Sequence, residues 1–213
     1  TENSIKFTGA GLEFRINGEN WTTDSVFLNL EPASEYEFYV RVAETKTSVA
    51  SYEWYGTIWT ANATPEVGEG FRIDFETETV WPEDYYEVRL VDSSVWVASP
   101  INIEPGNEIE VRRVNIFASD TAPPSQAIKN TIPDRPGVPT IKTEYVSGST
   151  IVVSAVDGAY YSQDNLNWTE SRVFSNLENE TQYTIYAKIV GTSSSFESSV
   201  ASIAVQTVAS GVD

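Results

Sequence analysis

No cysteine, histidine or methionine occurs anywhere in these 213 residues. Without Cys there is no disulfide, no thiolate nucleophile and no Cys-ligated zinc, although that absence does not choose a compartment. Without His, the commonest general base for activating a Ser or Thr hydroxyl is missing. Without Met, Thr1 is not a translation start, so the reading expects a removed signal peptide or a segment of something longer. Positive charge is also scarce: 13 Lys and Arg face 31 Asp and Glu, giving a net charge of −18 and a pI near 4.2. The longest basic cluster is Arg112-Arg113. A nucleic-acid backbone would be repelled, so no such partner is expected. No apolar run reaches the roughly 18–20 residues of a membrane-spanning helix, so no membrane insertion is expected. Nor is there a phosphate-cradling glycine loop or a dinucleotide fingerprint. An enzyme is not expected.

What is present is core-forming material, with 40% hydrophobic and 12% aromatic residues, and an internal repeat. Shifting the sequence by 147 positions lays Asn20-Trp21-Thr22, Val26-Phe27, Asn29-Leu30-Glu31, Tyr36, Tyr39 and Thr45 on a second set without a gap. That set is Asn167-Trp168-Thr169, Val173-Phe174, Asn176-Leu177-Glu178, Tyr183, Tyr186 and Thr192. A fainter middle copy follows from Ile103-Glu104-Pro105-Gly106-Asn107-Glu108-Ile109, placed where Leu30 to Tyr36 would predict. Self-similarity of this kind divides the chain into modules. The expected modules are residues 1–62, 63–137 and 138–213, the last two joined by a stiff, proline-punctuated stretch from Ile132 to Pro139.

Within the copies the period is two. Tyr36, Phe38, Val40 and Val42 alternate with Glu35, Glu37, Tyr39 and Arg41, which reads as a half-buried strand. Turn residues punctuate such runs at Asn17-Gly18, Pro105-Gly106, Asp157-Gly158 and Asp164-Asn165. The expected fold class is therefore all-β, a tandem of antiparallel β-sandwich modules arranged as a rod.

The run Leu30-Glu31-Pro32-Ala33-Ser34-Glu35-Tyr36-Glu37-Phe38-Tyr39-Val40 resembles the fibronectin type III pattern at the corner into the sixth strand. Ile16-Asn17-Gly18-Glu19-Asn20-Trp21 is similar to a bacterial version of that Ig-like sandwich. The resemblance implies repeats of cell-surface, S-layer-like and secreted proteins, mainly of Gram-positive bacteria. It also implies a tyrosine hydroxyl bonded back to the preceding backbone. The middle copy departs from the pattern, with Ile109 in place of the corner tyrosine and Arg113 at an inward position.

Trp21 and Trp168, being repeated, read as core anchors. Alternation points Trp54 and Ile58 inward and Tyr55 and Trp59 outward. With Trp81, Tyr85 and Tyr86 they form the candidate partner or glycan contacts, Trp96 adding a further ring. Packing between modules is the competing explanation for these rings. Asp74, Glu76 and Glu78 would share one strand face, read as a solvated acidic surface with calcium as the lesser reading. No cofactor is otherwise expected. Asn20, Asn62, Asn167 and Asn179 each fit the glycosylation sequon.

In the 147-position register Thr1 matches Gly148, so the first copy lacks an equivalent of the strand Ile141–Val146. A cut from a longer protein, a local rearrangement, or a strand donated by a neighbour would each account for this. Two functions stay open. The first is a non-catalytic structural or adhesive module of an extracellular surface protein, building an S-layer, filament or adhesin stalk with other copies of itself or neighbouring modules. The second is a polysaccharide-binding accessory module of a secreted glycoside hydrolase.

Overall fold

A computed structural model describes residues 1–114, 122–209 and 211, and among them there is no helix. Strands β1 (Ser4–Lys6), β2 (Leu12–Ile16), β3 (Val26–Leu28), β4 (Glu35–Val42) and β5 (Trp54–Trp59) form a first set. The second set is β6 (Phe71–Asp74), β7 (Thr79–Pro82), β8 (Tyr86–Leu90), β9 (Ile101–Asn102), β10 (Glu108–Arg113) and β11 (Ile128–Thr131). The third is β12 (Thr143–Val146), β13 (Thr150–Val153), β14 (Ala159–Ser162), β15 (Val173–Ser175), β16 (Gln182–Ile189) and β17 (Ala201–Gln206). Each set makes two sheets: β1–β3 with β2–β4–β5, β6–β7–β9 with β8–β10–β11, and β12–β13–β15 with β14–β16–β17. The chain is all-β, and the third set packs two three-stranded antiparallel sheets around one core as a fibronectin type III-like sandwich.

By contacts the chain divides into two compact units. One comprises Thr1–Arg72, Val80–Ile101 and Glu108–Thr131; the other comprises Ile73–Thr79, Asn102–Asn107 and Ile132–Asp213. In the first unit Val80, Val88, Ile109 and Val111 are fully buried, and Phe7 stacks on Phe14 with ring centroids 5.2 Å apart. In the second, Ile141, Ile151, Val153 and Phe174 from one sheet meet Tyr161, Ile185, Ala187 and Val205 from the other. Burying each large aliphatic there contributes about 1.5–3 kcal/mol.

Local chemistry repeats with the strands. The Asn17-Gly18 turn has positive φ at both residues, 46° and 75°, and Glu19 N–H donates to Ile16 C=O across it. That is the two-residue hairpin turn Asn-Gly favours. The Tyr36 hydroxyl accepts the Glu31 N–H at 2.8 Å, and the Tyr183 hydroxyl accepts the Glu178 N–H at 2.9 Å. These are the tyrosine corners that the resemblance implies. Thr60 and Thr207 lock the same corners by donating to the carbonyls of Glu31 and Glu178, each at 2.6 Å. A serine hydroxyl caps the long strand in all three sets: Ser51 accepts Val42 N–H, Ser125 accepts Arg113 N–H, and Ser198 accepts Ile189 N–H.

Two alignments change. Val111 pairs with Val88 as Val40 pairs with Phe14 and Ala187 with Tyr161. Ile109 therefore stands where Phe38 and Ile185 stand, rather than at the corner tyrosine. The second corner is two residues shorter and has no tyrosine to place. At the other end, Ile5 pairs with Phe27 as Ile151 pairs with Phe174. Thr1 thus matches Ser147 rather than Gly148, and the third set has one residue more between β13 and β14 than the first has between β1 and β2.

Candidate functional site

On the outer face of β2–β4–β5, Arg15, Tyr39 and Tyr55 lie side by side through the pairs Arg15–Tyr39 and Tyr39–Tyr55. The Arg15 guanidinium sits 4.5 Å from the Tyr39 ring centre and 4.8 Å from that of Trp21, while Arg41 lies 4.1 Å from Trp21. Glu53 and Glu13 neutralise the two arginines at 2.9 and 2.8 Å. Trp21 is consequently no core anchor: it lies half-buried on the outside, over cations. Trp168 does the same over Lys188 at 4.5 Å. Trp96, which the sequence grouped with the further rings of the second copy rather than with Trp21 and Trp168, covers Arg112 at 4.3 Å and Arg89 at 4.6 Å. The bridges Phe14–Thr22, Val88–Val97 and Tyr161–Thr169 place the three tryptophans equivalently. A Trp over a strand cation is thus a structural device of every set, worth about 0.5–1 kcal/mol per exposed pair. Spacing from the strand pair Val88–Val111 would have revealed Trp96, but the shortened corner hid that register.

Against this common scaffold, β5 differs. Tyr55 is 71% exposed and sits 6.1 Å, centre to centre, from Tyr39. Trp59 shares its face and is half-buried. Trp54 shares the side of Phe38, as alternation requires, but is 64% exposed rather than buried; it leans on Phe38 at 5.4 Å. Gly56 leaves the room for this, since a Cβ there would meet the Phe38 ring at 3.1 Å. Tyr52, just before the strand, is fully exposed. The structure therefore gathers Tyr52, Trp54 and Tyr55 at one strand edge.

The remaining candidates separate. Trp81 lies on β7 with the Arg72 guanidinium over its ring at 4.6 Å. Tyr85 is exposed and held at φ 69°. Tyr86 is a correction: it is 9% exposed, packed on Gly70, where any Cβ would collide with its ring. Its hydroxyl donates to Glu69 at 2.5 Å and accepts from Arg113 at 2.7 Å, and Arg113 also reaches Glu69 at 2.5 Å. This trio explains how the inward Arg113 is tolerated. Burial first, then the bond to Glu69, pushes the Tyr86 hydroxyl above its ordinary value. The bond from Tyr86 first, with the Glu66 N–H and Arg113, holds Glu69 below the usual carboxylate range.

Asp74, Glu76 and Glu78 do not share a strand face. β6 ends at Asp74, whose carboxylate accepts the N–H groups of Glu76 and Thr77 in a turn, each at 3.0 Å. Glu78 pairs with Arg135 at 2.7 Å beside a cleft of about 390 Å³ that Phe75, Glu76, Val190 and Glu197 also line. Asp164 is occupied likewise: the Asn167 N–H, the Asn167 amide, the Leu166 N–H and the Ser162 hydroxyl hold its carboxyl well below the usual range. Among the described residues no group of three or more Asp or Glu is placed to hold a metal ion. Of the sequons, Asn20, Asn167 and Asn179 are exposed. Asn62 is completely buried, its backbone and side-chain N–H groups both donating to the Pro123 carbonyl, so it is not an accessible acceptor in the folded chain.

No family model and no curated protein matches this chain. Among solved structures it is similar to the crystal structure of the chicken CNTN1 FN1-FN3 domains. The alignment covers 97% of this chain and 96% of that one, at 14% identity and a TM-score of 0.27. The strand order and tyrosine corners described above carry the fold assignment.

Proposed function

We propose that this chain is a non-catalytic structural and adhesive module of an extracellular surface protein. In this reading it is a building block of a surface layer, filament or adhesin stalk, its sandwiches following one another as a rod and docking to other copies of itself. The extracellular placement comes from the resemblance of the corner motifs, and no cofactor is called for. One observation carries the reading: the strand sets repeat their scaffold while Tyr52, Trp54 and Tyr55 stand exposed together at the β5 edge. Trp54 and Tyr55 stand where the third set has Ala201 and Ser202, and Tyr52 beside them is fully exposed. Large rings on an otherwise repeated sheet edge suit a protein contact, where Trp and Tyr anchors dominate the energetics.

Light scattering on size-fractionated protein across a concentration series tests this. Association that rises with concentration and weakens in Tyr55→Ala and Trp54→Ala supports the reading. A strictly monomeric, folded chain at high concentration refutes self-assembly. The Tyr39–Tyr55 ring pair favours the second reading, sugar stacking. It predicts polysaccharide binding that Tyr55→Ala abolishes without lowering the melting temperature.

A further inference from the structure

Asn17 is followed by glycine, a pairing that no other asparagine of this chain has. Asparagine is a thermolabile residue, because the next backbone nitrogen can attack its amide carbon, and glycine, lacking a Cβ, obstructs that attack least. The turn exposes both residues and leaves the attacking group free. Asn17 N–H donates to Glu37 C=O and Glu19 N–H to Ile16 C=O, each at 2.9 Å, whereas the Gly18 N–H between them donates to no group among the described residues. The Asn17 side chain is held instead. Its Oδ1 accepts the Glu37 N–H at 3.0 Å. A backbone N–H aimed at that oxygen polarises the carbonyl and stabilises the negative charge that gathers on it when the carbon is attacked.

The related turns lack one component or another. In the third set the same place is taken by Asp164 and Asn165, with no glycine. There the carboxylate is occupied by the Leu166 and Asn167 N–H groups, the Asn167 amide and the Ser162 hydroxyl. Asp157-Gly158 has the glycine, at φ 67° against 75° for Gly18, but a carboxylate in place of the amide, and a carboxylate is the poorer electrophile. We propose that Asn17 is a site of spontaneous deamidation in the folded chain. Gly18 N gives up its proton to hydroxide and bonds to Asn17 Cγ; the Cγ–Nδ2 bond breaks and ammonia leaves. Water then opens the cyclic imide at either carbonyl, giving isoaspartate or aspartate, each carrying a negative charge that the amide lacked. Isoaspartate inserts a methylene into the backbone of a two-residue turn. Glu19 N–H and Ile16 C=O then no longer meet, and the return segment to Thr22, which carries Trp21, loses its anchor. Aspartate keeps an oxygen that accepts the Glu37 N–H.

The full chain, held folded at mildly alkaline pH, is followed over time by ion exchange and by peptide mapping with electron-transfer fragmentation, which separates isoaspartate from aspartate. A parallel sample in urea shows what the unfolded chain does. The expected result is a growing acidic species in the folded sample, modified at Asn17 ahead of every other asparagine and formed faster as hydroxide concentration rises. Asn17→Ser should not form it. Asn17→Asp should co-elute with the aspartate product and melt closer to the parent than the isolated isoaspartate fraction, which should melt below both. Modification of Asn17 in urea but not in the folded protein overturns the proposal, as does no modification in either sample. Another asparagine reacting first in the folded chain overturns it too, and so does an isoaspartate fraction that melts with the parent.

Discussion

Replacing Thr207 by Val should destabilise the second unit more than replacing Tyr183 by Phe, although both changes remove one hydroxyl from the same corner. Thr207 is 2% exposed; its hydroxyl donates to Glu178 C=O at 2.6 Å and accepts Thr181 N–H at 3.0 Å. Valine fills the space but leaves a carbonyl and an N–H without their partner against a buried side chain. Each such group costs about 1–3 kcal/mol, offset in part by about 0.8 kcal/mol for the extra buried methyl. The net loss is about 1–5 kcal/mol. Tyr183→Phe strands only the Glu178 N–H in an exposed corner, where water replaces the hydroxyl, so about 0.5–1 kcal/mol is lost. Urea unfolding followed by hydrogen exchange at β16 measures both, and at about 1–3 kcal/mol per molar urea the midpoints should separate clearly. The first set repeats the experiment. Thr60 is 1% exposed and makes the same bonds, at 2.6 Å to Glu31 C=O and 3.0 Å from Ser34 N–H. If Thr207→Val proves no costlier than Tyr183→Phe, or Thr60→Val behaves differently, the burial argument is wrong.

Trp21→Leu should cost about 1 kcal/mol, well short of the roughly 2–5 kcal/mol of a core truncation such as Ile185→Ala, because its ring lies over Arg15 and Arg41 outside the sandwich; thermal melts of both variants compare them. The Glu69–Tyr86–Arg113 trio should make stability pH-dependent at both ends. Glu69 is lowered from 4.5, so its contribution is present above that pH and is lost as pH falls through the lowered value. Tyr86 is raised from 10.0, so its contribution is present below that pH and is lost as pH rises above it. Tyr86→Phe should remove the alkaline loss and weaken the acid one in melting profiles against pH. In a host that glycosylates asparagine, peptide mapping of the folded protein should find Asn62 unmodified, the others being open to modification; glycan on a folded Asn62 would contradict its burial.

The strands most legible in the sequence are those whose turns kept their length. Adding 147 to the bounds of β3, β4 and β5 reproduces those of β15, β16 and β17, because both copies retain the corner from Leu30 to Tyr36 and from Leu177 to Tyr183. The second set lost two corner residues, and with them the register that would have aligned Ile109 with Phe38 and Trp96 with Trp21. Period-two alternation chose the correct side of the sheet for Trp54, yet it carries no information on whether anything lies above that side. The same limit misled the reading of Trp21 and Trp168, since a repeated ring packs as well over a strand cation as inside a core. The carboxylates of Asp74 and Glu76 were hidden for a different reason: a strand cannot be told from the turn that ends it when both are polar.

Side and cover are separate properties, and the first and third sets differ in the second. Phe7, Phe27 and Phe38 occupy inward positions as faithfully as Val153, Phe174 and Ile185, yet they remain half-exposed. The pattern in each strand specifies a core, and the number of strands decides whether that core is closed. The first set carries three phenylalanines where the third carries Val153, Phe174 and Ile185, with Trp54 leaning over Phe38 where the third has Ala201. Larger rings in the first set stand where the third set has smaller side chains packed against Ile141.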